Sequence, residues 1–322
     1  MIGKGLGAKL PTIADFCKKL FTYQPLVQET LASYLDHAGI PYNPTALTIY
    51  KEKPGIPISH EEITPTPLEV FTKLESEVPE AHNVETFYEF AWNQFGQRYP
   101  TLWESLIHLT IQLELFPPFT NIFHENGVGY KKMVIGQLVC EEMNTDDVIL
   151  NLNYDVCFDL AVKQWFGKHT YAPNRKHGEI RIYKPHGSLN LFTNRLRHLF
   201  TFFDPEDTLG TLIYPDPKGG EWNGRSGIIP PRLRKDYSQH PIAKAILGDI
   251  YSYEPSIVTF WGVGLTSSDI DLLEIYRKAC TSAKKIEFVN PSLYALKRAE
   301  GLLKHDLEHY KDVEAWKNRI NR

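Results

Sequence analysis

Cysteine is scarce in this 322-residue chain, with only four, at positions 17, 140, 157 and 280. None forms a C-x-x-C pair, so a zinc ribbon is not encoded. Three of the four fall within apolar helical patterns, the usual setting of a small buried thiol, and this usage fits a reducing compartment. No apolar run approaches the length of a membrane span, and the first residues hold no apolar core of signal-peptide length. The expectation is a cytoplasmic protein with no membrane partner. A concentrated basic block is also missing. The formal net charge is −4, and the short basic stretch of Arg232, Arg234 and Lys235 reads as a solvated loop. Nucleic acid is therefore not expected as a direct partner. Internal repeats and low-complexity segments are absent, which excludes solenoid architectures.

What is present suits a globular α/β protein. Hydrophobic residues make up 42% and charged residues 23% of the chain, ordinary values for a folded domain. The length allows one large α/β domain or two small ones. The first residues are Gly-rich, including Gly7, and run into a helix that Thr12 caps and that turns Ile13, Phe16, Cys17 and Leu20 to one face. Such a turn can hold a phosphate on free N–H groups at a helix N-terminus. Residues 25–143 read mainly as helix, in segments at 25–37 (ending at Gly39), 67–78, 83–95, 100–115 and 130–143. Residues 40–65 are Pro-rich and read as a surface excursion. The aromatic stripe of Phe87, Phe90, Trp92 and Phe95 reads as core packing rather than a ligand cleft.

From residue 147 the pattern changes. Strands are expected at 147–153, 179–185, 256–261 and 285–289, alternating with helices at 154–166, 241–251, 268–279 and 292–303. Residues 188–238 read as irregular, with short β-like pieces at 211–214 and 227–229. Strand–helix alternation with short joints predicts a doubly wound, mostly parallel Rossmann-like sheet. The expected organisation is one domain over residues 1–322, with a mainly helical insertion at about 25–143 and a sheet core at about 145–292.

In open parallel sheets, ligands bind beyond the C-terminal ends of the strands. Four strand ends carry small, polar or ionisable residues there: Asn153, Tyr154 and Asp155; His186, Gly187 and Ser188; Gly262, Val263 and Gly264, with Ser267 and Ser268 close behind; and Asn290, Pro291 and Ser292. Each has an ordinary structural reading. Asn153 and Asp155 suit helix caps, His186 a buried histidine held by backbone, Ser268 with Asp271 a capping box, and Asn290 the opening of a turn. Their convergence on one edge of the sheet is what points to a binding site.

These segments, together with Leu150 to Asp155, Tyr183 to Asn190, Trp261 to Asp269 and Phe288 to Pro291, resemble the sirtuin superfamily, and most of all its prokaryotic anti-phage defence branch. The stretch from Gly7 through Thr12 to Asp15 and Phe16 resembles the segment just after that family's phosphate loop. Counting back places Met1 inside the loop, so either the reading frame begins upstream of Met1, the favoured expectation, which leaves the chain as written weak or inactive, or this member has lost normal dinucleotide binding. The resemblance implies NAD⁺ glycohydrolysis, releasing nicotinamide and ADP-ribose, with NAD⁺ depletion as the defence. His186 would be the proton acceptor, Asn153 would position the ribose or a water, and Asp155 would assist. Gly7, Thr12, Asp15, Gly187, Gly262, Gly264, Ser267 and Asn290 would contact the nucleotide. The zinc cysteines of the deacylating members have no counterpart, so no zinc is expected and deacylation is disfavoured. A partner protein or an oligomer would supply activation. The alternative from another class is a non-catalytic NAD or ADP-ribose sensor or scaffold.

Overall fold

The computed structural model describes residues 25–42, 66–78, 81–96, 139–194, 199–205, 224–229, 235, 237, 241–265 and 269–321. The expected helices at 100–115 and after Thr12, and the β-like piece at 211–214, lie outside the described residues. The chain divides into two compact units. One comprises Pro11–Ile111 with Pro230–Leu233, and the other Met1–Leu10, Gln112–Ile229 and Arg234–Arg322.

In the first unit, α1 (Pro25–Ala38), α2 (Pro67–Glu77) and α3 (Val84–Ala91) lie close to the expected helices. Thr66 and Asn83 each close a capping box, accepting from the N3 amide while the N3 side chain returns a bond. Helix α1 stops at Gly39, whose φ of 68° lies in the left-handed region glycine enters without strain. One member of the aromatic stripe is core, and a second is half-buried beside it. Phe87 is fully buried, edge-on to Tyr34 and Phe71, and Phe90 meets Tyr34 edge-on.

The second unit is mixed α/β. Strands β1 (Val148–Leu150), β2 (His169–Tyr171) and β3 (Ile180–Tyr183) form a parallel sheet in the order β1-β3-β2, with Leu150 opposite Tyr183. Alternate residues point to opposite faces. Ile149, Ile180 and Ile182 pack with Phe158 and Val162 of α4 (Cys157–Phe166), whereas Val148, Leu150 and Tyr183 pack with Ile242, Ile246 and Ile250 of α5 (Pro241–Tyr251). Both faces of this sheet are thus covered by helix, which is what a parallel sheet requires.

Three further strands, β4 (Leu191–Asn194), β5 (Leu199–Phe202) and β6 (Gly224–Ser226), make an antiparallel sheet with β4 central. The sequence pattern reads as irregular here, because these strands are too short for alternation to stand out. Strands β7 (Ile257–Trp261), β8 (Lys285–Val289) and β9 (Glu308–Tyr310) form a second parallel sheet in sequence order. Helices α6 (Ile270–Ser282) and α7 (Leu293–Leu303) supply its crossovers and pack Leu272, Leu273, Tyr276 and Leu303 against Phe260 and Phe288. Leu150 and Leu152 of the β1 end pack against the same cluster. Ser268 lies outside the described residues, and the N-cap of α6 is Asp269, which makes no side-chain cap bond.

After β9 comes α8 (Val313–Lys317), whose Trp316 is buried edge-on to Trp261. Glu287 of β8, 1% exposed, fastens it. Its carboxylate accepts from Thr259 Oγ1 at 2.9 Å and Trp316 Nε1 at 2.6 Å, and meets Lys285 Nζ at 2.7 Å and Arg319 Nε at 3.0 Å. Burial pushes its pKa up, but the bonds from Lys285, Trp316 and Thr259 outweigh burial and hold it below the usual carboxylate range. A depressed folded-state pKa adds stability above the unfolded carboxylate's pKa, and that stability is lost as pH falls through the folded value. Glu287→Ala removes the shared acceptor of Thr259 and Trp316 and one of two carboxylate partners of Lys285 and Arg319, which keep Glu308 and Glu142, and is expected to cost about 1–3 kcal/mol. Urea denaturation at pH 7 and again near pH 3 checks this, the difference between wild type and variant shrinking at the lower pH.

Candidate functional site

The site is built where β1 and β3 end. After Leu150 the ladder continues one step, the Asn151 amide donating to the Tyr183 carbonyl at 2.9 Å. Below this junction lies an ion pair with no exposure at all: Lys184 Nζ sits 3.4 Å from Asp159 Oδ2, both side chains 0% exposed. Such a pair persists only when its other valences are filled. Lys184 also donates to the Asp155 carbonyl at 2.7 Å, and Asp159 accepts from Asn151 Nδ2 at 2.8 Å and from the Tyr171 hydroxyl at 2.9 Å. Asn190 in turn donates to Tyr171 at 3.0 Å and to the Phe203 carbonyl at 2.7 Å. Burial, and then Asp159, push the Tyr171 hydroxyl well above its ordinary pKa, so it remains a donor.

The network fixes the loop from Asn151 to Asp155. Asn151 Oδ1 accepts the Asn153 amide at 3.0 Å, and Asp155 Oδ1 accepts the Cys157 amide at 3.0 Å at the start of α4. Asp155 thus bonds the first amide of α4, although the N-cap itself is Val156, which makes no side-chain cap bond. The Asn153 side chain makes no hydrogen bond among the described residues, and it is half-buried.

His186 is 8% exposed and both its ring nitrogens are engaged. Nδ1 lies 3.1 Å from the Leu152 carbonyl and Nε2 lies 2.8 Å from the Tyr237 hydroxyl. A carbonyl only accepts, so Nδ1 carries the proton, and neutral Nε2 accepts from Tyr237. The Tyr237 ring lies nearly parallel to the imidazole, at an interplanar angle of 9°. Burial first, and the Lys235 ammonium second, push the His186 pKa down to about 4. The Tyr237 hydroxyl also lies 3.3 Å from Asp269 Oδ1, and Lys235 Nζ donates to that same oxygen at 2.7 Å. The Lys235 side chain is only 3% exposed. Its reading as part of a solvated loop is thus overturned: the ammonium is withdrawn from solvent because Asp269 compensates it. Asp269 with Leu152, Val263, Gly264, Leu265 and Tyr276 lines a small cleft between the ends of β1 and β7.

Gly187 has a φ of 82°, and a Cβ there would lie 1.8 Å from the Gly227 carbonyl oxygen. Its glycine is demanded by this close approach, which seats 227–229 on the site; Ile229 N then donates to the His186 carbonyl at 2.9 Å. Gly262 turns at φ 57° as its amide donates to the Val289 carbonyl. Gly264 is exposed, and a Cβ there would meet Arg298 at 3.5 Å. Asn290 is buried, its Oδ1 accepting from the Ser292 amide at 2.9 Å and its carbonyl from His309 Nε2 at 2.7 Å, so it shapes the turn after β8. Gly7, Thr12, Asp15 and Ser267 lie outside the described residues.

The structure therefore brings Asn153 and His186 together, through the Leu152 peptide, and sets Gly187 beside them. Asp155 and Asn290 each commit a side-chain oxygen to local backbone. Sequence reasoning misses Asp159, Lys184, Lys235, Tyr237 and Asp269. One signal was present: Asp159 is a single acid inside an otherwise apolar helical run from Cys157 to Val162. Cys140, Cys157 and Cys280 are all buried; burial pushes Cys140 up to about 12 and Cys280 to about 11, and Cys157 well above its ordinary value. None of these three is a thiolate nucleophile at neutral pH. Among the described residues no group of three or more His, Cys, Asp or Glu side chains is arranged to hold a metal, and no helix is long and apolar enough to cross a membrane. The sequence matches no family model and no curated protein.

This geometry has two measurable consequences. Lys184→Met strands Asp159 and is expected to destabilise by about 3–5 kcal/mol, whereas the Lys184→Met, Asp159→Leu pair recovers part of the loss; a denaturant double-mutant cycle reads both. For His186, a folded pKa near 4 against about 6.5 unfolded means that stability is full above pH 6.5 and is lost as pH falls from there towards 4, by on the order of 3 kcal/mol. Stability against pH for wild type and His186→Gln, with ¹⁵N chemical shifts of the ring, checks the window and the Nδ1–H tautomer.

Proposed function

We propose that this protein is a sirtuin-like NAD⁺ glycohydrolase that releases nicotinamide and ADP-ribose, serving anti-phage defence by NAD⁺ depletion. In this reading the two parallel sheets belong to one doubly wound, Rossmann-like core, and the nucleotide lies across their C-terminal edge. The observation that carries it is the pairing of an unengaged Asn153 amide with a buried, neutral His186 at the end of adjacent parallel strands, beside a cleft lined by Gly264 and Asp269. Strand ends of this kind are where open α/β sheets take their ligands.

The chemistry asks little of the protein. Nicotinamide leaves a cationic pyridinium as a neutral molecule, so no acid need protonate it. A held ribose, an oriented water and one proton acceptor suffice. Asn153 supplies an amide for the ribose or the water. The proton acceptor belongs to the linked groups His186, Tyr237 and Asp269. No zinc takes part.

One observation favours the second reading, a non-catalytic NAD or ADP-ribose sensor: both nitrogens of His186 already have partners, which leaves its ring no spare lone pair. The two readings part on a single assay. Nicotinamide release from NAD⁺ is monitored by chromatography, with nucleotide binding measured by calorimetry. His186→Ala is expected to lower release at least about tenfold with binding changed less than about threefold, because the group acts on the transition state more than on the bound ground state. Asn153→Ala is expected to lower both. Tight binding of NAD⁺ without nicotinamide from the wild-type protein, in the presence of its activating partner, selects the sensor.

A further inference from the structure

Resting on the hydrolase reading, we propose that Asp269 is the group that takes the proton from the attacking water, and that Lys235, Tyr237 and His186 hold it in place. Asp269 lines the cleft. Tyr237 and His186 do not line it, and Tyr237 is only 2% exposed. Both contacts made to the Asp269 carboxylate use the same oxygen: Lys235 Nζ at 2.7 Å and the Tyr237 hydroxyl at 3.3 Å meet Oδ1. Oδ2 makes no hydrogen bond among the described residues, and the side chain keeps 18% of its surface open. One oxygen is therefore anchored, and the other is left unbonded on a residue that lines the cleft.

The reverse holds for His186. Its Nδ1 proton goes to the Leu152 carbonyl and its Nε2 lone pair takes the Tyr237 hydroxyl. A water in the cleft has no lone pair of this ring to address. Asp269 starts α6 yet makes no side-chain cap bond. An aspartate at that position ordinarily commits its carboxylate to the first amides of the helix, and here it is turned to Lys235 and Tyr237.

In the hydrolytic step the water oxygen forms a bond to C1′ of the ribose as the C1′–N bond breaks. The electron pair of that bond goes to the pyridinium nitrogen, giving neutral nicotinamide. The water proton goes to Asp269 Oδ2, and ADP-ribose results. A carboxylate placed to activate water is the ordinary base of inverting glycoside hydrolysis. His186 is a positioning residue here: its lone pair holds the Tyr237 hydroxyl, whose oxygen stands 3.3 Å from Asp269 Oδ1 and limits where the carboxylate can sit, while Lys235 Nζ donates to it.

The test uses the full chain with its activating partner, and NAD⁺ as the probe. Asp269→Ala is expected to lower nicotinamide release by about 10²–10⁴-fold, the usual contribution of a general base, with NAD⁺ affinity changed less than about threefold. Added formate, a carboxylate that can enter the vacated space, is expected to restore part of the turnover of Asp269→Ala but none of that of His186→Ala. Because Asp269→Ala removes a carboxylate that compensates the buried Lys235, the Lys235→Met, Asp269→Ala pair is measured beside it, with thermal melting to establish folding. Near-wild-type release from this folded, NAD⁺-binding double variant overturns the assignment of Asp269 while leaving the hydrolase reading intact. Formate rescue absent from Asp269→Ala, with imidazole rescue present in His186→Ala, moves the base to His186 and overturns it likewise. No nicotinamide from NAD⁺-saturated, partner-activated wild type overturns the hydrolase reading and this proposal with it.

Discussion

The ion pair between Lys184 and Asp159 is the constraint on which the site depends. Two charges with no exposed surface are costly to bury, and removing either partner costs far more than the pair contributes. Their geometry is therefore kept by everything around them. Lys184 stands one residue beyond β3 and two before His186, so the lysine fixes where the histidine emerges. By donating to the Asp155 carbonyl it also draws the β1–α4 loop towards the end of β3. Asp159, in the first turn of α4, anchors Asn151 and through it the Asn153 amide. One electrostatic contact thus sets the positions of Asn153, Asp155 and His186 together, although those residues come from separate strands.

Around this pair, packing and conformational chemistry act in the same direction. Gly187 lets the backbone turn at φ 82° while the Gly227 carbonyl approaches to a distance no side chain would tolerate. Tyr154 donates to the Ile229 carbonyl at 2.6 Å, and Leu189 donates back to the Tyr154 carbonyl at 2.9 Å. The loop after β1, the turn after β3 and the strand exit at 227–229 are therefore cross-bonded. Any side chain added at Gly187 or Gly227 acts on all three at once, because a packed interior has little room in which to relax.

Elements with strong local signals were legible in the sequence. Helices that open on Thr66, Asn83 or Ser292 caps, and strands at 257–261 and 285–289, stand close to where period and capping place them. The strands of three residues at 169–171 and 308–310, and the antiparallel sheet around β4, were not, since their order comes from pairing with distant partners rather than from alternation within the segment. The site divides the same way. Strand-end residues could be picked out from the sequence, but whether each serves a ligand or the backbone could not. Asp155 takes the first amide of α4 and Asn290 makes a turn, because a short polar side chain finds the nearest free amide first. Lys235 stands in a short basic stretch and Asp269 closes the Trp261 to Asp269 segment, but neither these nor Tyr237 are marked locally as members of one site; their roles come from meeting each other and His186 across long stretches of chain.

That meeting has an internal logic. A neutral imidazole needs one acceptor for its N–H and one donor for its lone pair, and the Leu152 carbonyl and the Tyr237 hydroxyl are such a pair. Were the ring to gain a proton, Nε2 would have to donate, and the single Tyr237 proton would turn instead to Asp269 Oδ1, 3.3 Å away. Burial and Lys235 oppose that state, while Asp269 favours it. The hydroxyl of Tyr237 therefore reports the charge of His186 to the carboxylate that lines the cleft, and a change of charge at the carboxylate is felt in turn by the ring. Three short contacts join the end of β1, the turn after β3, the segment at 235–237 and the start of α6. Proton positions at the cleft and within the buried ring are coupled, and neither can be set without the other.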